Sequence, residues 1–311
     1  MNQTEYDLAV VIINYCTPDL VIQCLNSLES QLDDSTQRVV VVDNASPDGS
    51  GAMIASHLRL AGWNRWVTLI QSPVNGGFSA GNNLGVRSLN AKLYLLLNSD
   101  TIVRPGAISQ LTRAAVDHPD AGLIGPRLEW PDTGPQISCF RNHSPFSQMI
   151  DAAGTGPLTR TFSRFDVPLP VSQYPMMPDW LSFAAVLVRR QVWQGVGPMD
   201  EGYFMFFEDA DYCRRCRRAG WKILYWPSAR VVHLRGGSSQ VKRNQAARRR
   251  LPAYYYASRR RYFTRFYGRN GVMAANICWS LGRWIAWMRE RVGRKMPHHC
   301  QRAFLDTWRS F

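Results

Sequence analysis

The sequence predicts an α/β protein built on an open, mostly parallel sheet flanked by helices, and three observations carry that expectation. Continuous apolar, β-branched runs recur at residues 8–13 (LAVVII), 38–43 (RVVVVD) and 93–97 (LYLLL), the pattern of central strands covered on both faces. Stretches with helical spacing lie between them, so strands and helices alternate as right-handed βαβ units require. Each run ends in polar residues, and an open parallel sheet binds its ligands outside the carboxyl ends of its strands.

Residues 8–13 form the first strand. Thr17 then caps a helix with Pro18 at its first position, and Leu20, Val21, Cys24, Leu25 and Leu28 recur at helical spacing. Residues 38–43 make the second strand, which ends in the polar turn 43–49. A helix near 50–61, a strand at 67–70, a helix opened by Ser79 and the strand 93–97 repeat the pattern. A further helix begins at Pro105, and 122–125 reads as a short strand. From about 126 to 178 proline and glycine accumulate without periodicity, as in a long substrate-facing connection. Residues 179–188 start polar and become a buried strand or helix, a helix follows near 190–196, and 222–226 and 230–233 read as two short strands.

Between them Glu208, Asp209 and Asp211 precede Arg214, Arg215, Arg217, Arg218 and Gly220. A helix with an acidic first turn, a basic last turn and glycine just past its stop suits the macrodipole. Helical placement accounts for Asp211, which can also pair with Arg214 or Arg215. It does not account for Glu208 and Asp209. They follow the apolar run 204–207, where an unpaired carboxylate is costly unless it has a partner or a task.

A chain of 311 residues can hold one large α/β domain or two fused halves. Its net charge of +14 is uneven, because residues 240–311 carry 17 Lys+Arg against 2 Asp+Glu while the rest is nearly balanced. A tail that basic seeks polyanions. Seven scattered cysteines form no disulfide framework and suggest a reducing compartment, and Cys213 and Cys216 fall within a helix with no second pair, unlike a zinc or redox site. The first residues lack the basic flank and apolar core of a secretory signal, and no apolar stretch reaches about 18 residues.

Three strand ends supply candidate ligand groups: Asn14 and Tyr15, then Asp43 and Asn44, then Asn98, Ser99 and Asp100. The segment 75–83 adds Asn75, Gly77 and Asn82, where glycines allow close backbone approach and a helix start offers free N–H groups to an anion. Such residues also make ordinary turns, but four such loops converge on one edge. No phosphate-binding loop of the G-x-x-x-x-G-K-[ST] kind and no G-x-G-x-x-G occurs, so phosphate is held otherwise. Asp100 stands where a hard cation bridging two phosphate oxygens needs a carboxylate. His233, at a strand end, is open to two readings, a packed residue or a metal ligand.

Taken together, residues 11–15, 41–46, 75–85, 97–101, 208–211 and His233 resemble the inverting glycosyltransferases of family 2, in the bacterial rhamnosyltransferase-like branch with a GT-A fold. The resemblance implies that Asn14, Tyr15 and Asp43 hold the nucleotide, with Asn44, Asn75, Gly77, Asn82, Asn98 and Ser99 completing the donor site. Asp100, with His233, would bind Mn²⁺ or Mg²⁺ on the diphosphate, and Asp209 would be the catalytic base. Asn98 replaces the first acid of the family's D-x-D, and Phe183 stands where relatives carry glycine, narrowing the acceptor cleft. Inverting transfer needs a base for the acceptor hydroxyl and a cation at the leaving diphosphate, with Asp200 as the second candidate base. Glu208 and Asp179 would hydrogen-bond sugar hydroxyls, Trp180 would face a sugar ring, and Arg235 with residues 236–238 would close over the diphosphate.

The expected activity moves a sugar from dTDP-rhamnose or a UDP-sugar to a hydroxyl of a glycan or lipid-linked oligosaccharide. The alternatives are a sugar-nucleotide pyrophosphorylase, whose basic Gly-rich loop is missing from residues 14–18, and a non-catalytic glycan- or polyanion-binding module. Residues 1–125 would be the nucleotide-sugar-binding half and 126–239 the acceptor-binding and catalytic half of one GT-A domain, and 240–311 would be a basic amphipathic helical tail. In that tail Ile277, Leu281, Trp284, Ile285 and Met288 share one helical face opposite Arg283, Glu290 and Arg294. The face suits either an anionic membrane surface or packing on the body, which would put the protein at the cytoplasmic side of a bacterial membrane in the first case. Interleaved aromatics are compatible with nucleic acid, but no nucleic-acid fold is recognisable.

Overall fold

The computed structural model describes residues 5–235, 240–293 and 299–309. The first half runs β1 (Tyr6–Asn14), α1 (Pro18–Glu29), β2 (Gln37–Asp43), α2 (Ser50–Leu60), β3 (Val67–Gln71), α3 (Gly77–Ser88), β4 (Ala91–Asn98), β5 (Thr101–Val103), α4 (Ala107–Asp117) and β6 (Ala121–Glu129). Then come β7 (Cys139–Phe140), α5 (Pro145–Ala153), α6 (Gly156–Thr161), β8 (Trp180–Leu181), β9 (Ala185–Arg189), α7 (Arg190–Val196), α8 (Glu208–Arg218) and β10 (Lys222–His233). The tail forms α9 (Gln240–Ala246), α10 (Ala253–Val292) and α11 (Ala303–Arg309).

Eight strands make one sheet in the order β3-β2-β1-β4-β9-β6-β10-β5, and β7 pairs with β8 separately. The strands β1 to β4 are parallel neighbours, as are β6 and β10, while β9 and β5 run antiparallel to theirs. The mostly parallel α/β sheet expected from the apolar runs is therefore present, with Val10, Val11, Ile12 and Val39 to Val42 fully buried at its centre. Such burial is worth about 25 cal/mol per Å² of apolar surface removed from water. The winding direction reverses between β1 and β4, so the loops after β1, β2 and β4 open a crevice along one edge.

Three local expectations change. Residues 222–233 form one strand, irregular between Trp226 and Arg230, because Pro227 cannot donate to a ladder but does not prevent pairing from resuming beyond it. The boundary expected at residue 125 falls inside β6, and β9 from the second half inserts between β4 and β6, so the two halves of the one domain interleave in a single sheet. The stretch 126–178 contains helix α5, opened by a capping box between Ser144 and Ser147. The helix α5 packs against α10. At Gly282 of α10 an added Cβ would lie 2.3 Å from the Met149 carbonyl oxygen, so small residues set this contact. Helix α10 breaks at Gly268, whose φ is 70°. Residues 236–238 and Arg294 lie outside the described residues, and among those described no helix is long and apolar enough to cross a membrane.

Glu129, fully buried at the end of β6, joins the strands beside Asp100. It accepts from Arg104 Nε at 3.0 Å and Arg230 Nε at 2.8 Å, with Arg127 Nε at 3.7 Å. Removing its charge leaves three guanidinium groups around a neutral residue. Because these arginines are only partly buried, Glu129→Gln is expected to cost roughly 2–3 kcal/mol, the low end for breaking a buried pair. The urea midpoint should fall with the m-value unchanged; a loss within about 0.5 kcal/mol, the range of a neutral surface change, would show that the cluster is dispensable.

Candidate active site

A cleft of about 630 Å³ opens at the sheet edge, bringing together Tyr15, Asn44, Asn75, Gly77, Asn98, Ser99, Asp100, Trp180, Glu208, Asp209 and His233. One wall is a locked loop pair. Asn44 Nδ2 donates to Asn75 Oδ1 and to the Gly77 carbonyl, both at 3.0 Å, and the Gly77 N–H donates to Asn75 Oδ1 at 3.0 Å. Asn44 Oδ1 is buried there with no hydrogen-bond partner, an exception among buried acceptors. Gly77 has φ 82° and sits so close to the aromatic loop ahead of α8 that a Cβ would lie 2.1 Å from the Phe204 carbonyl oxygen.

Asp100 follows β4 and His233 ends β10. Antiparallel pairing of β5 with β10 sets Thr101 against His233, which holds His233 Nε2 3.4 Å from Asp100 Oδ1. Burial pushes the Asp100 carboxyl up, but the His233 hydrogen bond and charge and the charge of Lys242 outweigh it and hold the pKa below the usual range. His233 Nδ1 is buried without a partner. Among the described residues no group of three His, Cys, Asp or Glu side chains could hold a metal. The Asp100–His233 pair can offer a cation only two donors, a carboxylate oxygen and an imidazole nitrogen, with phosphate oxygens and water left to complete the shell; Mg²⁺ ordinarily takes oxygen alone.

On the facing side, Glu208 and Asp209 open α8 directly after Phe206 and Phe207, whose φ values are 72° and 68°. Two consecutive aromatic residues in the left-handed region store strain of about 1–3 kcal/mol each, a cost that clusters at functional sites. Burial raises the pKa of both carboxyls. Glu208 goes well above its ordinary value, with the charges of Asp209 and Asp211 adding to burial. Asp209 rises to about 7, restrained by the Ala210 N–H, its own N–H and Lys242. The helix N-terminus favours the anion, but does not offset desolvation. Burial thus pushes both carboxyls of this adjacent pair toward the neutral form, the kind of shift that acid–base sites use.

Other expected residues lie off the cleft. Asn14 spends both side-chain atoms internally, donating to Asp43 Oδ1 at 2.7 Å and Ser46 Oγ at 3.2 Å and accepting from Thr17. Asp43 also accepts from Ser46 Oγ at 2.6 Å, so this pair braces the loop carrying Asn44 from behind. Asn82 donates to the Phe78 carbonyl within α3. Asp179 is held by Arg217 and the Asn142 N–H. Arg235 turns toward Gln136 and the Ile137 carbonyl rather than the cleft. Asp200 faces another hollow, bound by Arg261 Nη2 at 2.8 Å and Arg265 Nη1 at 2.6 Å. Asp211 pairs with Arg215 at 2.8 Å, and Cys213 and Cys216 are free, buried thiols.

Apart from Phe183, several lining residues had no such role at the level of sequence. Phe183 does line the cleft, as does His143, whose ring lies 5.0 Å from Phe207 and 5.5 Å from Trp180. Burial and the charges of Arg259 and Arg214 lower its pKa to about 4, so it is a neutral imidazole. Lys242, Tyr254 and Tyr255 reach in from the tail. The Lys242 amine is lowered by burial and by Arg235, against the pull of Asp100 and Asp209. A basic residue inside an arginine-rich tail carries no local signal that sets it apart from its neighbours.

A family model described as "Glycosyltransferase like family 2" matches residues 6–251. An N-acetylglucosaminyl-diphospho-decaprenol L-rhamnosyltransferase of Mycobacterium tuberculosis is 29% identical over 248 residues, which are 75% of this chain and 77% of that one. A dTDP-rhamnosyl transferase, RfbF, of Shigella flexneri is 25% identical over 242 residues, 77% of this chain and 72% of that one. Among solved structures, the mannosyltransferase PcManGT of Pyrobaculum calidifontis in complex with GDP-Man and Mn²⁺ superposes with a TM-score of 0.58 at 13% identity, covering 99% of this chain and 80% of that one.

Proposed function

Because the chain belongs to the glycosyltransferase-like family 2 and has the GT-A fold, we propose that it is an inverting nucleotide-sugar glycosyltransferase. Its donor would be dTDP-rhamnose or a UDP-sugar, and its acceptor a hydroxyl of a glycan or a lipid-linked oligosaccharide. The observation that carries this reading is that Asp209 and His233, from the second half of the chain, line one cleft with Asp100 from the first half. Family membership sets aside the pyrophosphorylase and the non-catalytic binding module.

In this reading Asp209 takes the acceptor hydroxyl's proton as that oxygen attacks the anomeric carbon, and a base titrating near 7 suits the task. Glu208, whose carboxyl burial pushes toward the neutral form, hydrogen-bonds a sugar hydroxyl, and Trp180 offers an aromatic surface to a sugar. Asn44 Oδ1 accepts from the nucleotide. Lys242 draws the leaving diphosphate's negative charge toward its amine, while Asp100 and His233 would hold Mn²⁺ or Mg²⁺. Bound there, the cation would absorb charge developing on the diphosphate. The excess of cations in residues 240–311 supports placing the enzyme against an anionic membrane at the cytoplasmic face, where a lipid-linked acceptor is met.

Release of nucleoside diphosphate from a panel of nucleotide sugars, with the product's anomeric configuration read by NMR, tests the reading. Inverted configuration is expected, and retention would overturn it. Chelation with EDTA and Asp100→Asn are each expected to lower kcat/KM by about 10²-fold, near 2.7 kcal/mol of transition-state stabilisation. Calorimetry should show nucleoside-diphosphate affinity rising with added Mn²⁺ in the wild type and not in the variant. Equal affinity with and without Mn²⁺ in the wild type would leave Lys242 as the diphosphate's cation.

A further inference from the structure

We propose that the outward face of α10 beyond Gly268, extended by α11, is a docking surface for an anionic phospholipid bilayer. The proposal rests on the membrane placement above and assigns it to particular side chains. Met273, Ile277, Leu281, Trp284 and Met288 follow one another in steps of four, four, three and four, a single stripe on a helix. The stripe faces solvent: Ile277 is 46% exposed, Leu281 49%, Trp284 58% and Met288 43%. The sequence alone left open whether this face packs on the body, and the structure uses the opposite one. Ala275, Gly282 and Ala286 are buried, and a Cβ at Gly282 would meet Met149 O, Ala152 and Ala153 of α5 within 3.0 Å. The contact admits no larger side chain, so the helix cannot turn its large apolar residues inward without opening the interface.

Helix α11 widens the apolar surface. Trp308 Nε1 donates to Ser280 Oγ at 3.2 Å, the Phe304 ring lies 6.5 Å from that of Trp279, and Phe304 and Leu305 are exposed. A contiguous exposed patch of this kind marks an interaction surface. Its charge selects the occupant. Arg291 lies 4.6 Å over the exposed Trp287 ring, and Arg302, just ahead of α11, and Arg309 within it are exposed. Each such cation gains about 1 kcal/mol beside anionic lipid, and tryptophan favours the membrane–water interface. A second copy would bring two tails, each with 17 Lys+Arg against 2 Asp+Glu, into mutual repulsion. The part of α10 before the break at Gly268 contributes Tyr254 and Tyr255 to the cleft, so the docking face is joined through that kink to the site where a lipid-linked acceptor would react.

The test is co-sedimentation with phosphatidylglycerol–phosphatidylcholine vesicles and with pure phosphatidylcholine vesicles. It compares the full chain with the Leu281→Ser, Trp284→Ser, Met288→Ser triple variant, whose substituted side chains are exposed. Wild type is expected to partition onto the anionic vesicles, and the variant roughly tenfold less or weaker still, with melting temperature and donor turnover in vesicle-free solution unchanged. Wild type that ignores anionic vesicles overturns the proposal, as does a triple variant that binds them equally well. A wild-type dimer dispersed by the same substitutions, without vesicle binding, makes the face a self-interface and overturns it too. Failure of the transferase reading looks different: neither protein would release nucleoside diphosphate, whatever their vesicle binding.

Discussion

Asp209→Asn is expected to lower kcat by about 10³-fold, in the middle of the range for loss of a general base, while nucleoside-diphosphate affinity stays close to that of the wild type. The substitution keeps the shape of the side chain, leaves Asn44 and Asp100 untouched and removes only the group that accepts the proton. The same change should stabilise the protein at alkaline pH. Burial raises the folded pKa of Asp209 to about 7, against about 3.9 in an unfolded chain. The folded state therefore binds the extra proton between roughly pH 4 and 7, and stability falls as pH rises through that window. At pH 8 the wild type carries an ionised carboxylate in a desolvated place, and the asparagine variant does not. Its melting temperature should exceed the wild type's by several degrees at pH 8, with the gap closing toward pH 4. Wild-type turnover should in turn fall below pH 7 as the base is protonated. A variant that turns over within about tenfold of wild type, or melts lower at pH 8, would remove Asp209 from the proposed role.

Gly77→Ala is expected to damage both stability and donor binding, and by more than any other single methyl group in the cleft. The residue has φ 82°, and the new Cβ would stand 2.1 Å from the Phe204 carbonyl oxygen. That oxygen accepts the Phe78 N–H at 2.7 Å, so the loop cannot retreat without losing a bond that ties the start of α3 to the segment ahead of Asp209. Left-handed strain costs roughly 1–2 kcal/mol and overpacking typically another 1–3 kcal/mol. A loss of about 2–5 kcal/mol in denaturant unfolding should accompany a higher KM for donor, since Asn44 and Asn75 bond to the same glycine. Gly49, with φ 81° and nothing near its Cβ direction, serves as the control and should lose only the strain contribution. Equal losses at the two positions would show that the contact with Phe204 contributes nothing.

Much of the fold was legible because its signals are local. An unbroken Val39–Val42 run can be buried only in a covered strand, and Pro18 after Thr17 starts a helix wherever it sits. The acidic opening and basic close of α8 were legible for the same reason, as was the pairing of Asp211 with an arginine one turn on, which the structure shows to be Arg215. Site residues at strand ends could be nominated but not sorted. Asn14 and Asn44 are both asparagines after a buried strand, yet one is consumed by Asp43 and Thr17 while the other keeps a buried acceptor free. Asp200 and Asp209 are both acidic residues beside an aromatic loop, and two arginines some 60 residues onward neutralise only the first.

By itself, the sequence determined the alternating α/β architecture, the crevice edge and the excess of cations in the tail, because period, turn chemistry and charge are written in neighbouring residues. Tertiary structure alone decided that Asp209 and Asp100 share a cleft, that Lys242 and His143 enter it, and that α10 docks through Ala275, Gly282 and Ala286 with its larger apolar side chains left outside. Each of these depends on which distant side chains approach one another. Desolvation, ion pairing and close backbone contact are properties of that approach, and a linear pattern contains no term for them.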